Sequence, residues 1–379
     1  SLNMPPLPIH DIEVKDSDLV VATHGRGVWI LDDISALRQY TETMAQKPAH
    51  LFEPEPHTRY GSNWWVEYGG GPPSDKKYYF VRTAAAGYTL YERGVVNGER
   101  KREFIDAGEA RPLGVIIYYL LSDEAQEVSL TILAADGPEI RTFSHEEIPT
   151  ERFDAWDNRG YDADVETGTP AASVGSGLNR FVWDMRYPSV SAIPGVPPVN
   201  IKPIAKPGTY QVRLTVDGVS ETQSFELLIN PNETYTRAET DAKAEFWMQL
   251  YEKSEEAVQA VIRAQEAQAE AQAAAEAPGA SADVREEAEA VDALAQEFIG
   301  SMVATGTTLV QIISEPTKPL SILTSLHNVM ESGEGPPNGP MLEVYDRAVA
   351  RIDEAIAGFD AEIGPAMDRL EALQEGSDS

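Results

Sequence analysis

The hydrophobic positions of this chain change period once. As far as about residue 230 they alternate with polar residues or cluster in short runs, and beyond 236 they recur at helical spacing. Near the start, Ile9 to Lys15, Leu19 to Ala22 and Val28 to Leu31 read as strands, separated by a tight Asp16-Ser17-Asp18 turn and interrupted by Gly25 and Gly27. Strands this short cannot bury a core by themselves. The expectation for residues 9–34 is therefore a β-hairpin belonging to a sheet that other strands must complete.

From Leu51 to Ile229 the pattern is all-β. The clearest runs are Lys77 to Thr83, Val115 to Leu121, Val128 to Ala134, Ile140 to Ser144, Asn179 to Met185, Gly208 to Val216 and Thr222 to Ile229. Asp136-Gly137 and Asp217-Gly218 sit between paired runs and predict hairpin turns. Such spacing suits one or two antiparallel β-sandwiches of immunoglobulin-like type. No helix-length periodic segment lies between the runs, which disfavours a parallel α/β fold.

Past Thr236 the apolar steps lengthen. Trp247, Tyr251, Val258 and Ile262 lie on one helical face, and Leu342, Tyr345, Val349, Ile352, Ile356, Phe359 and Ile363 form a heptad seam. Two shorter helices are expected around Val284 to Phe298 and Leu320 to Met330, giving an antiparallel helical bundle with two long members. The Ala/Glu/Gln stretch from Ala264 to Ala277 has strong helix propensity and few large apolar groups, so it is expected to project into solvent. The fold class is thus multidomain, β then α.

Composition narrows the function classes. The 379 residues carry 62 Asp+Glu against 30 Lys+Arg, a net charge of -32, which repels nucleic acid and anionic lipid surfaces. The acidity is concentrated in 236–379, with 28 acidic and 9 basic residues. No apolar run approaches the roughly 18 residues that span a bilayer. With no cysteine, disulfides, thiolate catalysis and Cys-ligated metals are ruled out. Ser1 is followed by neither an initiator Met nor signal-peptide order, so the natural start is expected upstream.

The segment Leu19-Val20-Val21-Ala22-Thr23-His24-Gly25-Arg26-Gly27-Val28-Trp29-Ile30-Leu31-Asp32-Asp33 resembles the closing blade of sortilin-like β-propeller proteins built from bacterial-neuraminidase (BNR, Asp-box) repeats, a family often labelled glycosyl hydrolase. The resemblance continues through Pro112 to Leu120, Gly177 to Pro188 and Lys206 to Leu214. It implies the last strands of a propeller blade in 1–45, a first β-sandwich region in 46–150, the second half of that sandwich or a second one in 151–235, and an acidic helical bundle in 236–379. The family's repeat, Ser-x-Asp-x-Gly-x-Thr-Trp, occurs nowhere in this sequence, so no family catalytic residue transfers to it. The resemblance implies a C-terminal region of an exported bacterial protein, periplasmic or extracellular, whose propeller lies upstream and is its first partner.

Three groups of residues are candidates for a site. His24 and Arg26, set among glycines, could hold a carboxylate or phosphate, or could simply fasten a strand turn. Trp64, Trp65 and Tyr68 could stack on sugar rings or pack into a domain junction. Asp157, Asp162, Asp164 and Glu166 could ligate calcium in a flexible loop, although their spacing fails the EF-hand pattern and an acidic loop is ordinary in so acidic a chain. Otherwise no cofactor is expected. The six histidines show no ligand spacing, and no triad or zinc motif is present. Three functions follow: a non-catalytic scaffold that offers surfaces to a partner protein or polysaccharide, an accessory part of a glycoside hydrolase completed upstream, or an assembly subunit using the helical hairpin.

Overall fold

The computed structural model describes residues 4, 6–59, 78–81, 88–96, 99–104, 114–146, 170–196, 199, 201–232, 234–304, 317–332 and 335–377. β-Sheets come first, antiparallel but for one parallel strand pair, and the long helices last, with no closed barrel among the described residues.

The first sheet is a three-stranded antiparallel meander of β1 (Ile9–Lys15), β2 (Asp18–Thr23) and β3 (Val28–Leu31), where a hairpin was expected. It is tied to the rest of the chain through the short helix α1 (Ser35–Gln39). Ile34 N–H donates to Ser17 O at 2.7 Å, Asp33 N–H to Asp18 Oδ1 at 3.0 Å, and the Tyr118 hydroxyl to Asp33 O at 3.2 Å.

Two further sheets face one another across a common core. One has the order β11-β10-β13-β14-β5, comprising β5 (His57–Arg59), β10 (Val128–Ala134), β11 (Glu139–Ser144), β13 (Gly208–Val216) and β14 (Val219–Ile229). The other has the order β12-β9-β4, comprising β4 (Ala49–Leu51), β9 (Val115–Leu121) and β12 (Gly177–Trp183). Alternation sends Val115, Ile117, Tyr119 and Leu121 of β9 inward to meet Tyr210, Val212 and Leu214 of β13. The outer face of β9, with Ile116 and Tyr118, is covered by Phe52 and Ala36. The Asp217-Gly218 turn has both residues at positive φ, 47° and 85°, as a type I′ hairpin turn demands. The Asp217 carboxylate also accepts the Gln126 and Glu127 N–H groups. A fourth sheet joins β6 (Tyr78–Val81), β7 (Tyr88–Val96) and β8 (Glu99–Phe104).

Among the described residues short β4 pairs only with β9, and side chains close its other edge. Leu51 N–H donates to Glu221 Oε2 at 2.8 Å, Gln223 Nε2 donates to Leu51 O at 3.2 Å, and His50 Nδ1 lies 3.1 Å from Glu221 Oε1. An edge that could template aggregation is thereby satisfied internally.

The long helices among the described residues are α2 (Arg237–Glu276), α3 (Ala282–Met302), α4 (Pro319–Ser332) and α5 (Gly339–Ser377). Thr236 and Glu239 form a reciprocal capping box at the start of α2, and Ser281 caps α3 through Val284 N–H. Ala264 to Ala277 does not project into solvent as expected. Ala264, Ala271 and Ala274 are buried, the last two against Val284, Ala288 and Val291 of α3 and Ala366 and Leu370 of α5. Small side chains let helices approach closely, so an alanine seam can pack as well as an aliphatic one.

The α5 seam runs through Tyr345, Ala348, Ile352, Phe359, Ala366 and Leu370, while Leu342 is exposed, contrary to expectation. Ile352 has no exposed surface. Ile352→Ala should therefore cost about 2 to 5 kcal/mol in denaturant unfolding, whereas Leu342→Ala should cost well under about 1. Similar losses at both positions would contradict this seam.

Candidate functional site

Two places concentrate polar chemistry. The first is the exposed end of the β1–β3 sheet. Gly25 and Gly27 take φ of 76° and 72°, a region that side chains other than glycine rarely adopt, and an added Cβ at either would meet nothing within 4 Å. Their role is thus to turn the chain. Gly27 O accepts from Thr23 N–H at 3.2 Å and from the Thr23 hydroxyl at 2.7 Å, while Arg26 O accepts the Trp29 indole N–H at 3.1 Å. His24 N–H donates to Pro8 O at 3.1 Å, and its ring stacks on His10 with centroids 4.9 Å apart. His24 and Arg26 are both exposed, so imidazoles and a guanidinium share one solvent-facing tip.

The second place is buried, and reading the sequence missed it. Residues 184–196, 199 and 201–206 form a strap between β12 and β13 that lies against α2 and α4. Along it, Val190, Ile193, Ile201 and Ile204 enter the same core as Leu250, Val258 and Leu323. Ser191 donates to Glu255 on α2 through its N–H at 2.7 Å and its hydroxyl at 2.6 Å, and Gln265 Nε2 donates to Pro194 O at 3.0 Å. Burial opposes the Glu255 charge, yet these Ser191 bonds and one from Gln259 hold its carboxyl below the usual range.

At the far end of the strap Arg186 is almost fully buried. Its Nη2 donates to Glu331 Oε1 on α4, and its Nη1 to Lys202 O at 3.0 Å. One turn before Glu331, His327 Nε2 stands 3.7 Å from Glu331 Oε2, and His327 Nδ1 accepts the Trp247 indole N–H from α2 at 2.5 Å. That bond fixes the neutral ring's proton on Nε2. The Lys243 ammonium lies 5.0 Å from the Trp247 ring centroid, itself buried. Burial is the main cause that pushes His327 down to about 4; Glu331 pulls it up, and Arg186 and Lys202 push it further down.

A signal for this cluster does exist in the sequence. Leu320, Leu323, His327, Met330 and Glu331 share one helical stripe, so His327 and Glu331 occupy positions where apolar residues would be expected. All are buried.

Trp64, Trp65 and Tyr68, and the calcium candidates Asp157, Asp162, Asp164 and Glu166, lie outside the described residues. Among the described residues no group of three or more His, Asp or Glu is placed to hold a metal ion. No helix among them is long and apolar enough to cross a membrane. The chain matches no family model, no curated protein and no solved structure.

Proposed function

We propose that this chain is a non-catalytic C-terminal scaffold and interaction region of an exported sortilin-like β-propeller protein. In this reading β1–β3 ends a propeller blade, the two facing sheets form an immunoglobulin-like sandwich, and the first partner is the propeller region preceding them in the same polypeptide.

One observation carries the reading: β2 and β3 are apolar on both faces. Residues paired directly across strands share a face. Ile12, Val14, Leu19, Val21, Trp29 and Leu31 fall on one side, and Val20, Ala22, Val28 and Ile30 on the other. Strands with this composition suit a sheet buried on both sides. Yet Ile12 is 57% exposed, Val28 64% and Ile30 59%. The outer strands differ as well. β1 carries Asp11, Glu13 and Lys15, and its Ile12 N–H is held by Asp11 Oδ1 at 2.9 Å, devices that blunt an edge. β3, Val-Trp-Ile-Leu, carries no charge and pairs only with β2 among the described residues. That is the edge, and those are the faces, that flanking blade strands would cover.

Without its partner, the 379-residue chain should self-associate through this sheet. Multi-angle light scattering is expected to show mass rising with concentration, and Ile30→Lys, at an exposed position, is expected to return it to monomer. A monodisperse wild-type monomer at high concentration, or association that Ile30→Lys leaves unchanged, counts against the reading.

A further inference from the structure

We propose that the Arg186–Glu331–His327–Trp247 network is an acid-sensitive latch holding the strap between β12 and β13 to helices α2 and α4. The inference concerns a device inside the fold and stands independently of the propeller reading.

The network joins three elements at one point: Arg186 on the strap, Trp247 on α2, and His327 with Glu331 on α4. Its closing bond requires an unprotonated nitrogen. Trp247 can only donate, so His327 Nδ1 must accept, and a proton on that atom would set two donors against each other. The groups facing His327 among the described residues are Glu331 on its own helix, Arg186 and Lys202 from the strap, and Trp247 from α2, with Lys243 beyond the indole. Glu331 is the one carboxylate of this set, and Arg186 already holds it. A second positive charge on the ring would share that carboxylate with Arg186, away from water. The strap's other fastenings to α2, through Ser191 and Pro194, involve no imidazole.

The direction of the pH effect follows. In the closed latch burial keeps His327 neutral down to about pH 4, whereas an opened, hydrated imidazole takes up its proton near the ordinary value of 6.5. Opening therefore binds a proton and becomes easier as pH falls below 6.5, levelling off below about 4. Between pH 7 and pH 4 this single group raises the opening equilibrium about a hundredfold.

Hydrogen exchange on the folded 379-residue chain reads that opening directly at α4 and the strap, once corrected for the intrinsic pH dependence of amide exchange. His327→Gln keeps an amide oxygen that can accept from Trp247 and cannot titrate, so carboxylates elsewhere act equally in both proteins. The expected result is a rise of about a hundredfold in wild-type opening from pH 7 to pH 4 that is largely lost in His327→Gln. A flat wild-type profile, or the same rise in both proteins, would overturn the latch. Should His327→Gln not fold, the NMR titration of the wild-type His327 ring decides. A midpoint near 4 supports the latch, and one at or above the ordinary imidazole value overturns it.

Discussion

Replacing Arg186 by Met will lower the unfolding free energy by about 3 to 5 kcal/mol, among the largest losses any single change in this chain can produce. The guanidinium is nearly inaccessible and bonds both to the Glu331 carboxylate and to the carbonyl of Lys202. Met fills much of the same volume, so packing changes little. The cost arises because Glu331, also buried, loses the guanidinium that compensates its carboxyl group. Two apolar groups in place of the pair avoid that cost, so Arg186→Met combined with Glu331→Leu should recover most of the loss. Urea unfolding of the two single variants and the double variant measures the coupling. Strict additivity would show that the pair does not act as a unit.

Trp183→Ala is expected to match or exceed that loss, at about 3 to 5 kcal/mol for the emptied volume with about 1 more for a lost hydrogen bond. The indole has no exposed surface, packs 5.8 Å from the Tyr210 ring and 5.9 Å from Phe225, and donates to Arg186 O at 3.2 Å. It thus fills the space between β12, β13 and β14 while fixing the start of the strap that presents Arg186. Calorimetry should show a single transition displaced downward. A separate low-temperature transition, with the helices melting unchanged afterwards, would mean that sheets and bundle do not share the core assigned to them.

How much of this was legible depends on how locally each feature is encoded. Val115–Leu121, Val128–Ala134 and Gly208–Val216 could be read to the residue, because alternation and Asp-Gly turns are properties of adjacent positions. Three-residue β4 and β5 could not. They are too short to alternate, and β4 is defined by its pairing with distant β9 and by the Glu221 and Gln223 side chains, some 170 positions away, that close its other edge. The alanine stretch of α2 looked solvated because its partners, Val291 and Leu370, lie on other helices. At the exposed tip, His24 and Arg26 were visible as a motif, but the stack of His24 on His10 depends on the β1–β2 register. His327 looked like one more scattered histidine, since its meaning comes from Trp247 and Arg186 in two distant segments.

The central claim is that β1–β3 belongs to a sheet structure completed by the polypeptide preceding it. Hydrogen exchange at the amides of Val28 to Leu31 tests it most directly, in the 379-residue chain and in the polypeptide purified from its natural source. The account predicts a natural polypeptide heavier than 41.5 kDa, in which these amides exchange far more slowly than in the chain alone. A natural mass of 41.5 kDa, or the same exchange rates in both, would contradict it.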